Sequence, residues 1–204
     1  MKNYLVVGNP IEHSYSPQLH NYWIKKYGIN ANYKKVKLET DDLKNLISEI
    51  KNKKVDGINV TVPFKREIIP YLDKLSSESK DTQSVNTIFL KDNEVFGHNT
   101  DIEGFQLAIK ESKYDISKKR IFIIGAGGVV PSIIYALNKM NASNIMITNR
   151  TFRKVENLKN TFPNLIIVDW GKVPDFDMVI NATSLGLSSK DQINLDFSNI
   201  ERNK

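Results

Sequence analysis

The chain of 204 residues reads as two α/β units in tandem, the second a doubly wound parallel sheet. Three observations predict this. Short apolar runs alternate with segments of helical periodicity along the whole length. One of those runs, Ile121–Ile124, passes straight into Gly125-Ala126-Gly127-Gly128 and then into a helical segment. Two polar blocks, Gly8–Pro17 and Asn59–Lys65, pack hydroxyls into a loop just after one strand and place a lysine just past the end of another. The boundary between the units is placed at about residue 103, giving domains 1–103 and 104–204.

In chain order, Tyr4–Gly8 is a short apolar strand. Leu19, Tyr22, Trp23 and Tyr27 recur at helical spacing after Pro17, and Tyr33–Leu38 reads as a strand. Thr40 is expected to cap a helix with Asp41 and Asp42 in its first turn and one apolar stripe of Leu43, Leu46, Ile47 and Ile50. Gly57–Val62 is strand-like and stops at Pro63. Val85–Leu90 and Glu94–Gly97 flank Lys91-Asp92-Asn93, a hairpin signal. A helix over 103–112 leads to the second unit. There, strand Ile121–Ile124 is followed by a helix over about 128–140, strand Asn144–Thr148, a helix over 152–161, and strands Leu165–Val168 and Met178–Ala182. Buried strands separated by helices of this length form a parallel sheet with helices on its faces.

Composition excludes several classes. Hydrophobic residues make up 40% and charged residues 25%, enough for a packed core and against disorder. No apolar run approaches the roughly 18–20 residues of a membrane span, and the N-terminus is too strand-like for a signal peptide. Cysteine is absent, so thiolate catalysis and disulfides are excluded, and a cytoplasmic protein fits. Of the net charge of +6, residues 1–103 carry +1 and residues 104–204 carry +5. A basic second half suits an anionic cofactor, although lysine-rich surface stretches account for it equally well. No Lys/Arg cluster interleaved with aromatics points to nucleic acid. His13, His20 and His98 lack metal-like spacing and are read as structural, so no metal is expected.

The glycine segment has the parts of a dinucleotide fingerprint. Gly125 permits a tight turn, Gly127 lets the backbone approach a pyrophosphate, and the helix N-terminus after Gly128 offers positive dipole. Pro131 falls in the first turn, where its missing N–H costs little. Val130 takes the third glycine position, where a bulkier residue alters helix–strand packing. The next strand ends in Asn149-Arg150-Thr151 rather than in the acid that binds the ribose hydroxyls of NAD. Arg150 pairs with a 2′-phosphate through its planar fork, Thr151 donates a hydroxyl, and Arg153 and Lys154 add charge, so NADP(H) is favoured over NAD. Thr151 as a simple helix cap is the plainer reading and is compatible. Asn181-Ala182-Thr183-Ser184 leaves a strand at the sheet edge where cofactors bind, or is merely a polar strand exit.

Taken together, Gly8-Asn9-Pro10, His13-Ser14-Tyr15-Ser16-Pro17, Asn59-Val60-Thr61-Val62-Pro63-Phe64-Lys65, Val85-Asn86-Thr87, Asn99-Thr100-Asp101, the glycine segment, Asn149-Arg150-Thr151 and Asn181-Ala182-Thr183-Ser184 resemble the shikimate dehydrogenase family, in order and over nearly the whole chain. The resemblance implies a substrate domain followed by a Rossmann-type NADP domain, and reversible NADPH-dependent reduction of 3-dehydroshikimate to shikimate in aromatic amino-acid biosynthesis. It implies that Ser14 and Ser16 bind the substrate carboxylate and that Thr61, Lys65, Asn86 and Asp101 contact ring hydroxyls or the reacting oxygen. Gly125, Ala126, Gly127, Gly128, Asn149, Arg150, Thr151, Lys154 and Thr183 are expected to bind the cofactor. Hydride addition to a ketone leaves an alkoxide, which an ammonium both stabilises and protonates, so Lys65 is expected to donate the proton and Asp101 to orient it. Alone, Lys65 would read as a solvated lysine and Ser14 and Ser16 as turn formers.

Relatives continue beyond the Asn-Ala-Thr-Ser segment with further nicotinamide contacts, a last strand and a helix bearing a substrate-binding glutamine. Residues 185–204 are expected to replace none of these, leaving the NADP domain C-terminally incomplete and the 204-residue chain weakly active or inactive. An exposed apolar sheet edge would then allow a homodimer. Quinate/shikimate dehydrogenase and a non-catalytic shikimate-binding module are the alternative readings.

Overall fold

The computed structural model describes residues 1–186 and 191–198, which divide into two compact units, Met1–Thr100 and Asp101–Lys204. The first unit begins with β1 (Lys2–Gly8), α1 (Ser16–Lys26) and β2 (Ala31–Lys37). α2 (Leu43–Lys51) and β3 (Gly57–Val60) follow. Then come α3 (Phe64–Glu67), β4 (Lys74–Leu75), α4 (Ser77–Thr82) and the hairpin β5 (Thr87–Lys91) and β6 (Glu94–His98). Its six-stranded sheet has the order β2-β1-β3-β5-β6-β4. β2, β1 and β3 run parallel, whereas β3–β5 and β5–β6 are antiparallel.

Two apolar faces hold this sheet. On one, Leu43, Leu46, Ile47 and Ile50 of α2 are all buried against Val7, Ile58, Val60 and Ile88, as the stripe in the sequence predicts. On the other, α1 docks through Ile24 beside Val6, Ile11 and Tyr33, while His20 stacks on Tyr33 with ring centroids 4.1 Å apart. The stripe of Leu19, Tyr22, Trp23 and Tyr27, which marks α1 as a helix, lies on its exposed side. The hairpin turn is Asp92-Asn93, both at positive φ (52° and 61°), which matches the twist of the flanking strands.

Several boundaries differ from expectation. Thr40 is not a cap: it opens a 3-10 turn, Thr40–Asp42, and a reciprocal capping box joins Glu39 to Asp42 ahead of α2. β3 ends at Val60, two residues early: Thr61 N–H still reaches the Val7 carbonyl (2.9 Å), but the Thr61 carbonyl accepts the Phe64 N–H (2.9 Å) in the turn into α3. β5 begins at Thr87, so Val85 and Asn86 precede it. Lys65 stands past the end of β3, as the sequence places it, on the short helix α3.

The second unit runs α5 (Asp101–Glu111), β7 (Arg120–Ile124), α6 (Val130–Lys139), β8 (Asn144–Thr148), α7 (Phe152–Thr161), β9 (Ile166–Ile167) and β10 (Met178–Asn181). Its sheet is wholly parallel in the order β10-β7-β8-β9, so the chain reverses direction across the sheet beside β7. Ile121 and Ile123 of β7 face Ile133, Ile134 and Leu137 of α6 and Val155 of α7, while Phe122 and Ile124 face Phe176 and Leu195 on the other side. Val130 is fully buried in the first of these clusters, so the bulk at the third glycine position is taken up by the core. Expectations for 185–204 fall partly on 187–190 and 199–204, outside the described residues. Among the described residues no helix is long and apolar enough to cross a membrane.

The amino end of β7 is clamped to β10 by charge. Arg120 donates from Nε and Nη2 to the two oxygens of Asp177 (3.1 and 3.0 Å) and from Nη1 to Asp175 (2.5 Å). The guanidinium bonds, with the Arg120 backbone N–H next, hold the Asp177 carboxyl well below its ordinary value. A depressed folded-state value contributes stability that is present above the unfolded carboxylate value and lost as pH falls through the folded one. Asp177→Asn is therefore expected to lower Tm at neutral pH, with the gap to the parent chain closing below about pH 4. Thermal melts across that range check it; a constant gap would refute the ionic account.

Candidate active site

The two polar blocks of the first unit meet at the carboxyl edge of β1 and β3. Asn9 N–H donates to the carbonyl of Val62 (2.9 Å), and Thr61 N–H to that of Val7. Gly8 permits the crossing, since a Cβ there would stand 2.6 Å from Thr61 Cγ2 and 3.0 Å from the Val62 carbonyl oxygen. The Asn9–Pro10 and Val62–Pro63 peptide bonds are both cis. Beyond this crossing, Ser14 N–H closes a turn onto Ile11, and Ser14 Oγ accepts the N–H of Ser16 at 3.3 Å. Ser16 is the first residue of α1, so both hydroxyls stand where a helix begins and where its dipole favours an anion. Both serines are half-buried beside that terminus, and the Ser14 hydroxyl serves the turn.

Thr61 accepts the N–H of Phe64 on its carbonyl (2.9 Å), and Phe64, 1% exposed, anchors α3 in the core. The carbonyl of Lys65 accepts the N–H of Val85 (2.8 Å), which ties α3 to the residues leading into β5. Asn86 comes next and is buried. Its Oδ1 accepts the Thr100 N–H (3.0 Å), and its Nδ2 donates to Thr100 Oγ1 (3.0 Å). Ser14, Ser16, Thr61, Lys65 and Asn86 thus all belong to the first unit and lie at the ends of its elements. Asp101, directly after Thr100, is the first residue of α5 and of the second unit.

One participant escaped the reading of site residues. Asn59, in the middle of β3, accepts the Tyr33 hydroxyl at 2.6 Å and donates to the Asn86 carbonyl and to Thr87 Oγ1 (3.2 Å each). The sequence signal was available: a lone amide in the otherwise apolar strand Gly57-Ile58-Asn59-Val60.

In the second unit the fingerprint glycines divide into two kinds. Gly125 has φ +109°, and a Cβ there would lie 2.8 Å from both the Ala182 carbonyl oxygen and Thr183 Cγ2. Gly127 is exposed, and a Cβ there would meet only that carbonyl at 3.7 Å, an ordinary contact. The chain itself therefore requires glycine at 125 but has room for a Cβ at 127, next to the start of α6. Ala126 is half-buried and Gly128 is exposed in the turn before Val130. Thr183 is set by Asn181, whose Oδ1 accepts both its N–H (3.1 Å) and its hydroxyl (2.7 Å). Asn149 donates to the Thr151 carbonyl (2.9 Å), fixing the turn out of β8. Thr151 occupies the N-cap position of α7 but its hydroxyl makes no cap hydrogen bond, so the plain capping reading is not realised. Arg150, Thr151, Arg153 and Lys154 are exposed around this helix start. Among the described residues no cluster of His and acids could hold a metal.

Both halves match known families. Residues 6–88 match the model of the shikimate dehydrogenase substrate binding domain, and residues 106–192 that of shikimate / quinate 5-dehydrogenase. A shikimate dehydrogenase (NADP(+)) of Pelagibacter ubique is 51% identical over 203 residues, covering all of this chain and 77% of that protein. The chain belongs to the shikimate dehydrogenase family. The family's enzyme from Aquifex aeolicus is 39% identical over 92% of this chain and 70% of its own length. The crystal structure of an Aquifex aeolicus shikimate dehydrogenase superposes with a TM-score of 0.85 at 37% identity, over 94% of this chain and 72% of that one. That of Thermus thermophilus, solved in complex with NADP(H) and shikimate, gives 0.82 at 28% identity over 92% and 70%. Shikimate dehydrogenases thus share both the α/β substrate unit and the Rossmann-type unit seen here.

Proposed function

We propose that this chain carries out the NADPH-dependent, reversible reduction of 3-dehydroshikimate to shikimate in aromatic amino-acid biosynthesis. The observation that carries the reading is the lacing of the Ser14–Ser16 turn, the Thr61–Lys65 segment and Asn86 at one edge of the first sheet. Residues 1–103 are assigned to the substrate and 104–204 to the cofactor. Ser14 and Ser16 hold the carboxylate at the start of α1. Thr61, Asn86 and Asp101 take ring hydroxyls, and Asp101 orients the Lys65 ammonium. Lys65 gives its proton to the oxygen that becomes an alkoxide. NADP(H), when bound, supplies or accepts the hydride. Gly125, Ala126, Gly127 and Gly128 admit its pyrophosphate, Asn149, Arg150, Thr151 and Lys154 its 2′-phosphate side, and Thr183 lines the loop against Gly125. The room at Gly127 and the exposed cations at 150, 153 and 154 fit such an anion. A cytoplasmic location and a homodimer form part of the same proposal.

The test is NADPH oxidation followed spectrophotometrically with 3-dehydroshikimate, beside calorimetric binding of shikimate. Turnover supports the enzyme; binding without turnover favours a shikimate-binding module, and preference for quinate favours the quinate branch. Arg150→Ala is expected to weaken NADP(+) about tenfold to a hundredfold, the scale of a charge-assisted hydrogen bond, with NAD affinity unmoved. Equal losses for both nucleotides would remove Arg150 from the 2′-phosphate.

A further inference from the structure

We propose that Tyr33 is a positioning residue for Asn86, acting through Asn59 and Thr87. The inference rests on the assignment of Asn86 to the substrate made above. Tyr33 sits on β2, and Asn59 on β3, with β1 between them. Tyr33 pairs with Tyr4, Tyr4 with Gly57, and Asn59 lies two residues beyond Gly57, so both side chains stand on the α1 face of the sheet. The phenol therefore reaches across β1 to the amide.

The direction of every bond in this chain follows from what each group can do. The Asn86 carbonyl only accepts, so the side of the Asn59 amide that faces it is the NH₂ (3.2 Å). Asn59 Oδ1 is then turned to Tyr33, and the Tyr33 hydroxyl is the donor, at 2.6 Å. Asn59 Nδ2 also donates to Thr87 Oγ1 at 3.2 Å. With its oxygen so engaged, Thr87 turns its own hydrogen to Asn86 Oδ1 at 3.0 Å. Asn86 Oδ1 receives the Thr100 N–H as well, which leaves the amide one orientation, with Nδ2 toward Thr100 Oγ1. Four side chains thus hand a single polarity from β2 to the edge of the site.

Tyr33 is built to be the fixed end of that relay. It is 5% exposed, with His20 stacked parallel on its ring. Asn21 of α1 grips its backbone on both sides: Nδ2 donates to the Tyr33 carbonyl (2.8 Å) and Oδ1 accepts the Tyr33 N–H (3.0 Å). Burial pushes the phenol above its ordinary value, so the hydroxyl keeps the hydrogen it donates.

Tyr33→Phe removes one oxygen and keeps the stacked ring. Two readouts are expected to move: the side-chain amide resonances of Asn59 and Asn86 in ¹⁵N spectra without ligand, and shikimate affinity, which falls about threefold to tenfold. NADP(+) affinity stays near the parent value, and Tm falls by the few degrees that the lost hydrogen bond costs. In an Asn59→Leu background, where the bonds to Tyr33, Thr87 and the Asn86 carbonyl are all removed, Tyr33→Phe should cost no further shikimate affinity. A lower Tm with unchanged Asn86 resonances and unchanged shikimate affinity would make Tyr33 merely structural and overturn the proposal. So would an equal loss of affinity in both backgrounds. Shifted Asn86 resonances in a chain whose parent binds no shikimate would uphold the relay and instead refute the assignment of Asn86 to that substrate.

Discussion

Replacing Lys65 with alanine is expected to lower kcat for 3-dehydroshikimate reduction about a hundredfold to ten-thousandfold, the range of a positioned acid or base. Shikimate affinity should change only a few-fold. The structure makes this a clean experiment. α3 is held by the buried Phe64 ring and by the Lys65 carbonyl, which accepts the N–H of Val85. Neither depends on the lysine side chain, so the variant keeps the backbone of α3. Loss of kcat with binding intact marks an interaction made in the transition state. A large rise in KM with kcat preserved would instead make Lys65 a binding group. Single-turnover traces separate the two where steady-state rates are slow.

The second large effect concerns the glycine turn, where two neighbouring substitutions should part company. Gly125→Ala places a methyl 2.8 Å from the Ala182 carbonyl oxygen, at a φ of +109° that alanine does not tolerate. Backbone strain of this kind costs about 1–3 kcal/mol before the collision is counted. Both Tm and NADP(+) binding should fall. Gly127→Ala meets only that carbonyl at 3.7 Å, so Tm should hold while NADP(+) binding drops, because the methyl fills the space the pyrophosphate needs. Calorimetry and thermal melts on the pair decide it. Unchanged NADP(+) affinity in Gly127→Ala would move the phosphates away from this turn.

The parts of the molecule legible in the sequence are those set by local pattern. Ile121–Ile124 running into the glycine turn is a contiguous signal, and β7 and α6 follow it. The α2 stripe was equally plain, because every one of its apolar residues is buried. Between 64 and 82 the pattern fails. α3 has four residues, α4 six and β4 two, too short for a period to show: Phe64 and Ile68 anchor the first in the core, pairing with β6 makes β4, and the Ser76 hydroxyl caps α4. In α1 the exposed stripe gave the helix, while the docking face of His20, Asn21 and Ile24 is mostly polar and carried no periodic signal. The candidate site residues stand in the sequence as contiguous blocks, but the contacts that fix their geometry do not. The bonds from Asn59 to Tyr33 and Thr87 span 26 and 28 residues, and no local pattern encodes a partner at that distance.

The antiparallel pairing of β3 with β5 has a consequence for how this site can vary. Because the two strands run in opposite senses, the chain leaves β3 and re-enters β5 at the same edge of the sheet. The bond from Val85 to Lys65 closes that departure like a drawstring, so everything from 66 to 84 is an excursion with its neck tied. Within it, β4 pairs with β6 and Ile68 enters the core, so added length is expected to be tolerated at its exposed turns, where the neck does not move. A closed loop of this sort grows at little entropic cost. The chemistry is thereby insulated from the length of chain that separates its own parts.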